Sequence, residues 1–158
     1  DAVCCSSAVG ACEPGGRWRD ALALLASAPH LRIAPDAVSC SAAMKVCEEA
    51  EQGQRALALF ASMRQLQVTP NVISCNSALS ACEQGGQWQS ALALLASMPQ
   101  LRLAPDVVSC SAAMSACEKG GEWQRALVLF ASLLLLRVLP NAISCNVAMS
   151  ACEKGRQW

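Results

Sequence analysis

Eleven cysteines, a single histidine and a regular series of Ser, Asn and Asp residues are the parts of this sequence that can do chemistry. Ten cysteines fall in pairs seven apart: Cys5/Cys12, Cys40/Cys47, Cys75/Cys82, Cys110/Cys117 and Cys145/Cys152. On a helix that spacing is two turns, roughly 10.5 Å of rise. A disulfide needs Cα atoms within roughly 7 Å, so the members of a pair share a face and cannot bridge within their helix. Free thiols in a reducing compartment are expected, with Cys4 outside the pattern. Zinc would call for Cys/His clusters at short spacing. Adjacent Cys4-Cys5 and the lone His30 do not supply one, so no metal and no cofactor is expected. A nucleophile would need a base beside it, and His30 reads as a residue of an exposed helix end, so catalysis has no support.

What these residues share is a period. Pro35, Pro70, Pro105 and Pro140 recur every 35 residues, as do Cys5, Cys40, Cys75, Cys110 and Cys145. Trp18, Trp88, Trp123 and Trp158 keep the register, with Gly53 at the remaining step. Residues 71–105 and 106–140 agree at 20 of 35 positions with no insertion. The chain divides into units 1–35, 36–70, 71–105 and 106–140 and a partial unit 141–158. It reads as a stretch of a longer array.

Each unit predicts two helices. In 106–140, Pro105 interrupts the preceding helix, and Asp106 or Ser109 caps the next one. Cys110, Met114 and Cys117 share an apolar face. Gly120-Gly121 ends the helix, because glycine accepts the left-handed conformation of a helix stop. A second helix is expected from about Glu122 to Leu136, burying Ala126, Leu129, Phe130 and Leu133. Ala21, Ala56, Ala91 and Ala126 mark a close helix–helix approach, and each Trp covers an inter-helix turn. A hairpin of this kind buries its apolar face only by stacking on neighbours. The predicted fold is therefore an all-α right-handed solenoid with one concave face, a binding module and not an enzyme.

The 35-residue period, the closing Pro-Asp or Pro-Asn, the first-helix string Val-Ile-Ser-Cys-Asn-Ser-Ala-Leu-Ser-Ala-Cys and the second-helix string Gln-Arg-Ala-Leu-Val-Leu-Phe-Ala-Ser-Leu resemble the pentatricopeptide repeat. The resemblance covers the whole chain, and its flavour is similar to that of repeats in dinoflagellate algae. It implies binding of single-stranded RNA, one base per repeat, in a mitochondrion or plastid. In that family two residues per repeat choose the base. One follows the repeated Cys: here Ser6, Ser41, Asn76, Ser111 and Asn146. The other follows the closing proline: here Asp36, Asn71, Asp106 and Asn141. Read this way, the chain would select 5′-GAUA-3′. The resemblance also implies that aliphatic side chains sandwich the bases, a role open to Val3, Val38, Ile73, Val108 and Ile143. Basic residues two places after the second Cys would meet phosphates. That place holds Pro14, Glu49, Gln84, Lys119 and Lys154, so Lys119 and Lys154 alone qualify.

Each assignment has a structural alternative. Asp and Asn are natural helix caps, the serines suit a solvated helix face, and Val or Ile suits a core. Two further features favour a different partner. Net charge is zero, from 12 basic and 12 acidic residues, whereas nucleic-acid domains usually carry a basic excess. Leu134 and Leu135 stand where other units are polar or proline, which suggests a protein-interaction surface. A scaffold role among protein subunits of a large organellar assembly is thus the alternative to RNA binding. The longest apolar run, Ala126 to Leu136, is too short to span a bilayer, so no transmembrane segment is expected.

Overall fold

The computed structural model describes residues 2–28, 30, 33–135 and 138–155, with Ala2 and Leu134 described by backbone alone. Among these residues the regular structure is all helical, in the hairpin order that the period predicts, with short 3-10 turns at Glu13–Gly15 and Pro99–Leu101. The helices are α1 (Ala2–Gly10), α2 (Trp18–Ser27), α3 (Ala37–Glu49), α4 (Gly53–Ser62), α5 (Val72–Gln84), α6 (Trp88–Ser97), α7 (Val107–Lys119), α8 (Trp123–Leu135) and α9 (Ala142–Lys154). Helix α8 starts one residue later than expected. Leu136, its expected last residue, and Trp158, the fourth tryptophan of the series, lie outside the described residues.

The chain forms two compact units, residues 1–81 and 82–158. In the first, α1 packs on α2 and α3, and α3 also packs on α2 and α4. In the second, α7 is central and touches α6, α8 and α9. Its core joins Cys110, Met114 and Leu133 to Val147 and Ala148 of α9, with Leu129 and Phe130 partly buried beside them. All four periodic alanines, Ala21, Ala56, Ala91 and Ala126, are fully buried. No larger side chain fits at such a helix–helix contact without moving the backbones apart.

Both cap candidates act at the start of α7. The Ser109 backbone N–H donates to Oδ1 of Asp106 at 2.8 Å, and the Asp106 N–H donates to the Ser109 hydroxyl at 3.3 Å. The same reciprocal cap opens α3 with Asp36/Ser39, α5 with Asn71/Ser74 and α9 with Asn141/Ser144. It satisfies two of the N–H groups that a helix start leaves without intrahelical partners. At the other end of the first helix, Gly16, Gly86 and Gly121 take positive φ of 56°, 59° and 82°. The second repeat makes the same turn with Glu51 at φ 56°, a conformation that costs an L side chain energy.

The tryptophans do more than cover their own turn. Trp88 opens α6 and lies against Gly120 in the next hairpin, where an added Cβ would stand 2.5 Å from its Cδ1. Trp123 presses on Gly155 in the same way, at 2.7 Å. A cation completes the contact. The Arg125 guanidinium sits 4.6 Å from the Trp88 ring, and Arg55 sits 4.3 Å from that of Trp18. Each such pair spans one repeat and the next.

Candidate nucleic-acid interface

The residues that follow the repeated cysteines lie on the first helices, and their exposure differs. Asn146 is exposed, Ser6 and Asn76 are half-buried, and Ser41 and Ser111 are buried. The last two correct the expectation of a solvated face. Each turns its hydroxyl inward along its own helix, Ser41 Oγ donating to the Ala37 carbonyl and Ser111 Oγ to that of Val107, both at 2.6 Å. A hydroxyl has one proton to give, so both present lone pairs to anything that approaches. Ser6 donates likewise, to Val3, at 3.0 Å.

The four residues after the prolines, Asp36, Asn71, Asp106 and Asn141, are the helix caps described above, all half-buried. Every cap uses Oδ1, an acceptor that Asp and Asn share. The cap therefore does not explain why the series alternates Asp, Asn, Asp, Asn. The two residue types differ at the second terminal atom, an acceptor in Asp and a donor in Asn.

Ser41 and Asn71, 30 positions apart in the chain, meet on one pocket of about 230 Å³. Val38 and Ile73 line the same pocket. Both belong to the aliphatic series, and here the expectation of a core role is overturned. Val3, Val38, Ile73, Val108 and Ile143 are all more than half exposed. Five branched apolar side chains held in water at a fixed period contribute little to the core, and any flat ring slipped between two of them would gain the burial they lack.

The basic candidates are engaged within the protein. Lys119 Nζ lies 2.9 Å from Glu83, and Lys154 Nζ 2.6 Å from Glu118. Glu118 also accepts from the Ser150 hydroxyl at 2.8 Å. Glu48 plays the same part, accepting from Ser80 at 2.5 Å, and Glu13 pairs with Lys45. These glutamates recur every 35 residues and tie each first helix to the next. Burial opposes charge on Glu118, but the hydrogen bonds of Lys154 and Ser150 outweigh it and hold the carboxyl below its ordinary range. Sequence reading saw the lysines and missed their partners, because those contacts span 32 to 36 positions.

All eleven cysteines are free thiols, and only Cys4 is exposed. Burial raises Cys40 and Cys82 to about 11, Asp36 adding its charge at Cys40, and burial also raises Cys5, Cys47, Cys75, Cys110 and Cys117. Among the described residues no His/Cys/Asp/Glu group has the geometry of a metal site. His30 is exposed in a turn, as expected.

The fourth repeat carries a surface the others do not. Val128, Leu135 and Leu139 are 68%, 85% and 86% exposed. The equivalent positions are also exposed in the first three repeats, but hold Ala23, Ala58 and Ala93; His30, Gln65 and Gln100; and Ala34, Thr69 and Ala104. The Leu134 side chain lies outside the described residues. No described helix is long and apolar enough to cross a membrane.

The sequence pattern of the pentatricopeptide repeat domain matches residues 24–87, and that of the single PPR repeat matches residues 73–103. No curated protein matches the chain. Among solved structures, the PPR domain of Arabidopsis thaliana protein-only RNase P 1, in complex with tRNA, superposes with a TM-score of 0.80 at 16% identity, over 94% of this chain and 78% of that one. The pentatricopeptide repeat protein PPR10, bound to an 18-nucleotide psaJ RNA element, superposes at 0.82 with 24% identity, over 99% of this chain and 23% of its own. PPR10 from maize gives 0.80 at 16% identity, over 99% of this chain and 22% of that one. The chain thus spans less than a quarter of PPR10. These likenesses establish the all-α solenoid fold.

Proposed function

Because the chain belongs to the pentatricopeptide repeat family, we propose that it binds single-stranded RNA in an organelle, reading one base per repeat. The observation that carries this reading is the pocket where Ser41 and Asn71 converge between exposed Val38 and Ile73. Two aliphatic side chains offer faces for a base, and two polar ones offer an edge to read it. Solved relatives in complex with tRNA and with an 18-nucleotide RNA support the same partner class. By the family's pairing, Ser6 with Asp36, Ser41 with Asn71, Asn76 with Asp106 and Ser111 with Asn141 select 5′-GAUA-3′, and Asn146 belongs to a fifth site. Lys119 and Lys154, each about half exposed, would meet phosphate by turning from Glu83 and Glu118.

The test is a titration of labelled RNA containing GAUA against a scrambled sequence. The matched RNA binds about 10-fold or more tightly, since each mismatch costs about 1–3 kcal/mol. Asn141→Asp keeps the Oδ1 cap and moves the fourth base from adenine to guanine. Failure of both RNAs to bind at low salt sinks the reading.

A second reading then leads, a scaffold that docks a protein subunit of a larger assembly. It rests on Val128, Leu135 and Leu139, exposed where the first three repeats hold Ala, Thr, Gln or His. Leu134 belongs to the same stretch of sequence.

A further inference from the structure

Lys45 lines the same pocket as Ser41 and Asn71. It lies on α3 one helical turn after Ser41, and the equivalent positions are Gly10, Ser80, Ser115 and Ser150. The second repeat is thus the only one of the five with a cation at this place. The Lys45 ammonium is hydrogen-bonded to Glu13 and lies 3.9 Å from Glu49, and the charge of Glu48 also reaches it. These carboxylates keep the amine protonated. They also decide what it can meet. One ammonium among three carboxylates is a poor site for a phosphate diester, which they repel, but a neutral base suffers no such repulsion.

The polar groups around the pocket make a defined set. Ser41 has spent its proton on Ala37, so it accepts. Asn71 has turned Oδ1 to the Ser74 N–H at 2.8 Å, so its amide nitrogen is left to donate. Lys45 carries donors alone. One acceptor and two donors match the pairing edge of a pyrimidine: uracil presents two carbonyls flanking a ring N–H, and cytosine an amine, a ring nitrogen acceptor and a 2-carbonyl. Adenine matches the first two and offers a C–H at the third place, so the ammonium would face an apolar group across a partly closed site.

We propose that Lys45 makes the second repeat a pyrimidine reader, its ammonium donating to the 2-carbonyl that cytosine and uracil share and adenine and guanine lack. The proposal rests on RNA binding by this surface, and it changes the second letter of the sequence that the family's pairing alone gives. It concerns one repeat, so the other positions serve as internal controls.

Four RNAs that differ only at N in G-N-U-A are titrated against the chain and against Lys45→Ser, the residue native to this position in repeats three to five. The expected result is tighter binding of the cytosine and uracil RNAs than of the purine RNAs to the unaltered chain, about 10-fold over adenine. In Lys45→Ser the pyrimidine advantage disappears and adenine binds at least as well. Preferences at the G, U and final A positions stay as they were. Equal weakening of all four RNAs by Lys45→Ser would show the ammonium serving the backbone and overturn the proposal. So would an order that puts adenine first and does not respond to the substitution. Absence of binding to every RNA overturns both this proposal and RNA binding itself, whereas selectivity at the other three positions with none at the second overturns this one alone. Lys45→Met, which keeps the aliphatic stem, repeats the test if the serine variant melts more than a few degrees low.

Discussion

At Cys40 and Cys82, burial raises the thiol to about 11, and a protonated, enclosed thiol is a weak nucleophile. Thiol reagents at pH 7.5 are therefore expected to label Cys4 first. Cys145 and Cys152, half-buried, follow slowly, and the eight buried cysteines react only on unfolding. Mass spectrometry of peptides after timed alkylation reads this directly, and rapid labelling of Cys40 or Cys82 in the folded chain would contradict it. The cysteine spacing was enough to place these side chains on one helix face. The other residue roles were less legible. Val38 and Ile73 are aliphatic, and an aliphatic side chain looks the same in sequence whether it fills a core or waits in solvent. Ser41 looked like a surface residue because its enclosure comes from neighbouring helices, which local periodicity does not report.

Among the elements, caps and stops were the most readable, since both act within four residues. Their regularity also exposes one imperfection. Three repeats turn out of the first helix on glycine at positive φ, and the second does so on Glu51. Replacing Glu51 with Gly removes the clash of Cβ with the backbone in that conformation. A gain of about 1 kcal/mol is expected, visible as a higher urea midpoint at unchanged slope. A loss would mean that the Glu51 side chain holds something its backbone does not show. The Trp88–Gly120–Arg125 contact was beyond sequence reading, because it joins consecutive hairpins at separations of 32 and 37 positions. The period shows that each of these residues recurs or is replaced, but not which one it touches.

For the molecule as a whole, charge sets the terms of any RNA complex. Twelve basic and twelve acidic residues cancel, and Lys45, Lys119 and Lys154 are each shared with a glutamate. The lysines are thus engaged, and a surface of zero net charge can displace few counterions from a nucleic acid. The logarithm of the binding constant for RNA should fall with the logarithm of salt concentration at a slope of about −2 or shallower, against roughly −0.7 per phosphate neutralised on a single strand. Fluorescence anisotropy from 50 to 300 mM salt measures it. A slope of −5 would place most of the binding energy on phosphates and leave the apolar row and its pockets with little part in recognition. The solenoid class was evident from the period alone, because stacking is the one way such hairpins bury their faces.

The shared use of Oδ1 in the four caps has a consequence for how such a surface changes over time. Exchanging Asp for Asn at residues 36, 71, 106 or 141 swaps one terminal atom, alters the outward chemistry and leaves the helix start intact. Foldedness and vocabulary are thereby separated at the level of a single atom. A lineage can rewrite one letter at a time without passing through unstable intermediates, and a laboratory library that exchanges only Asp and Asn at these four positions should consist almost entirely of folded members.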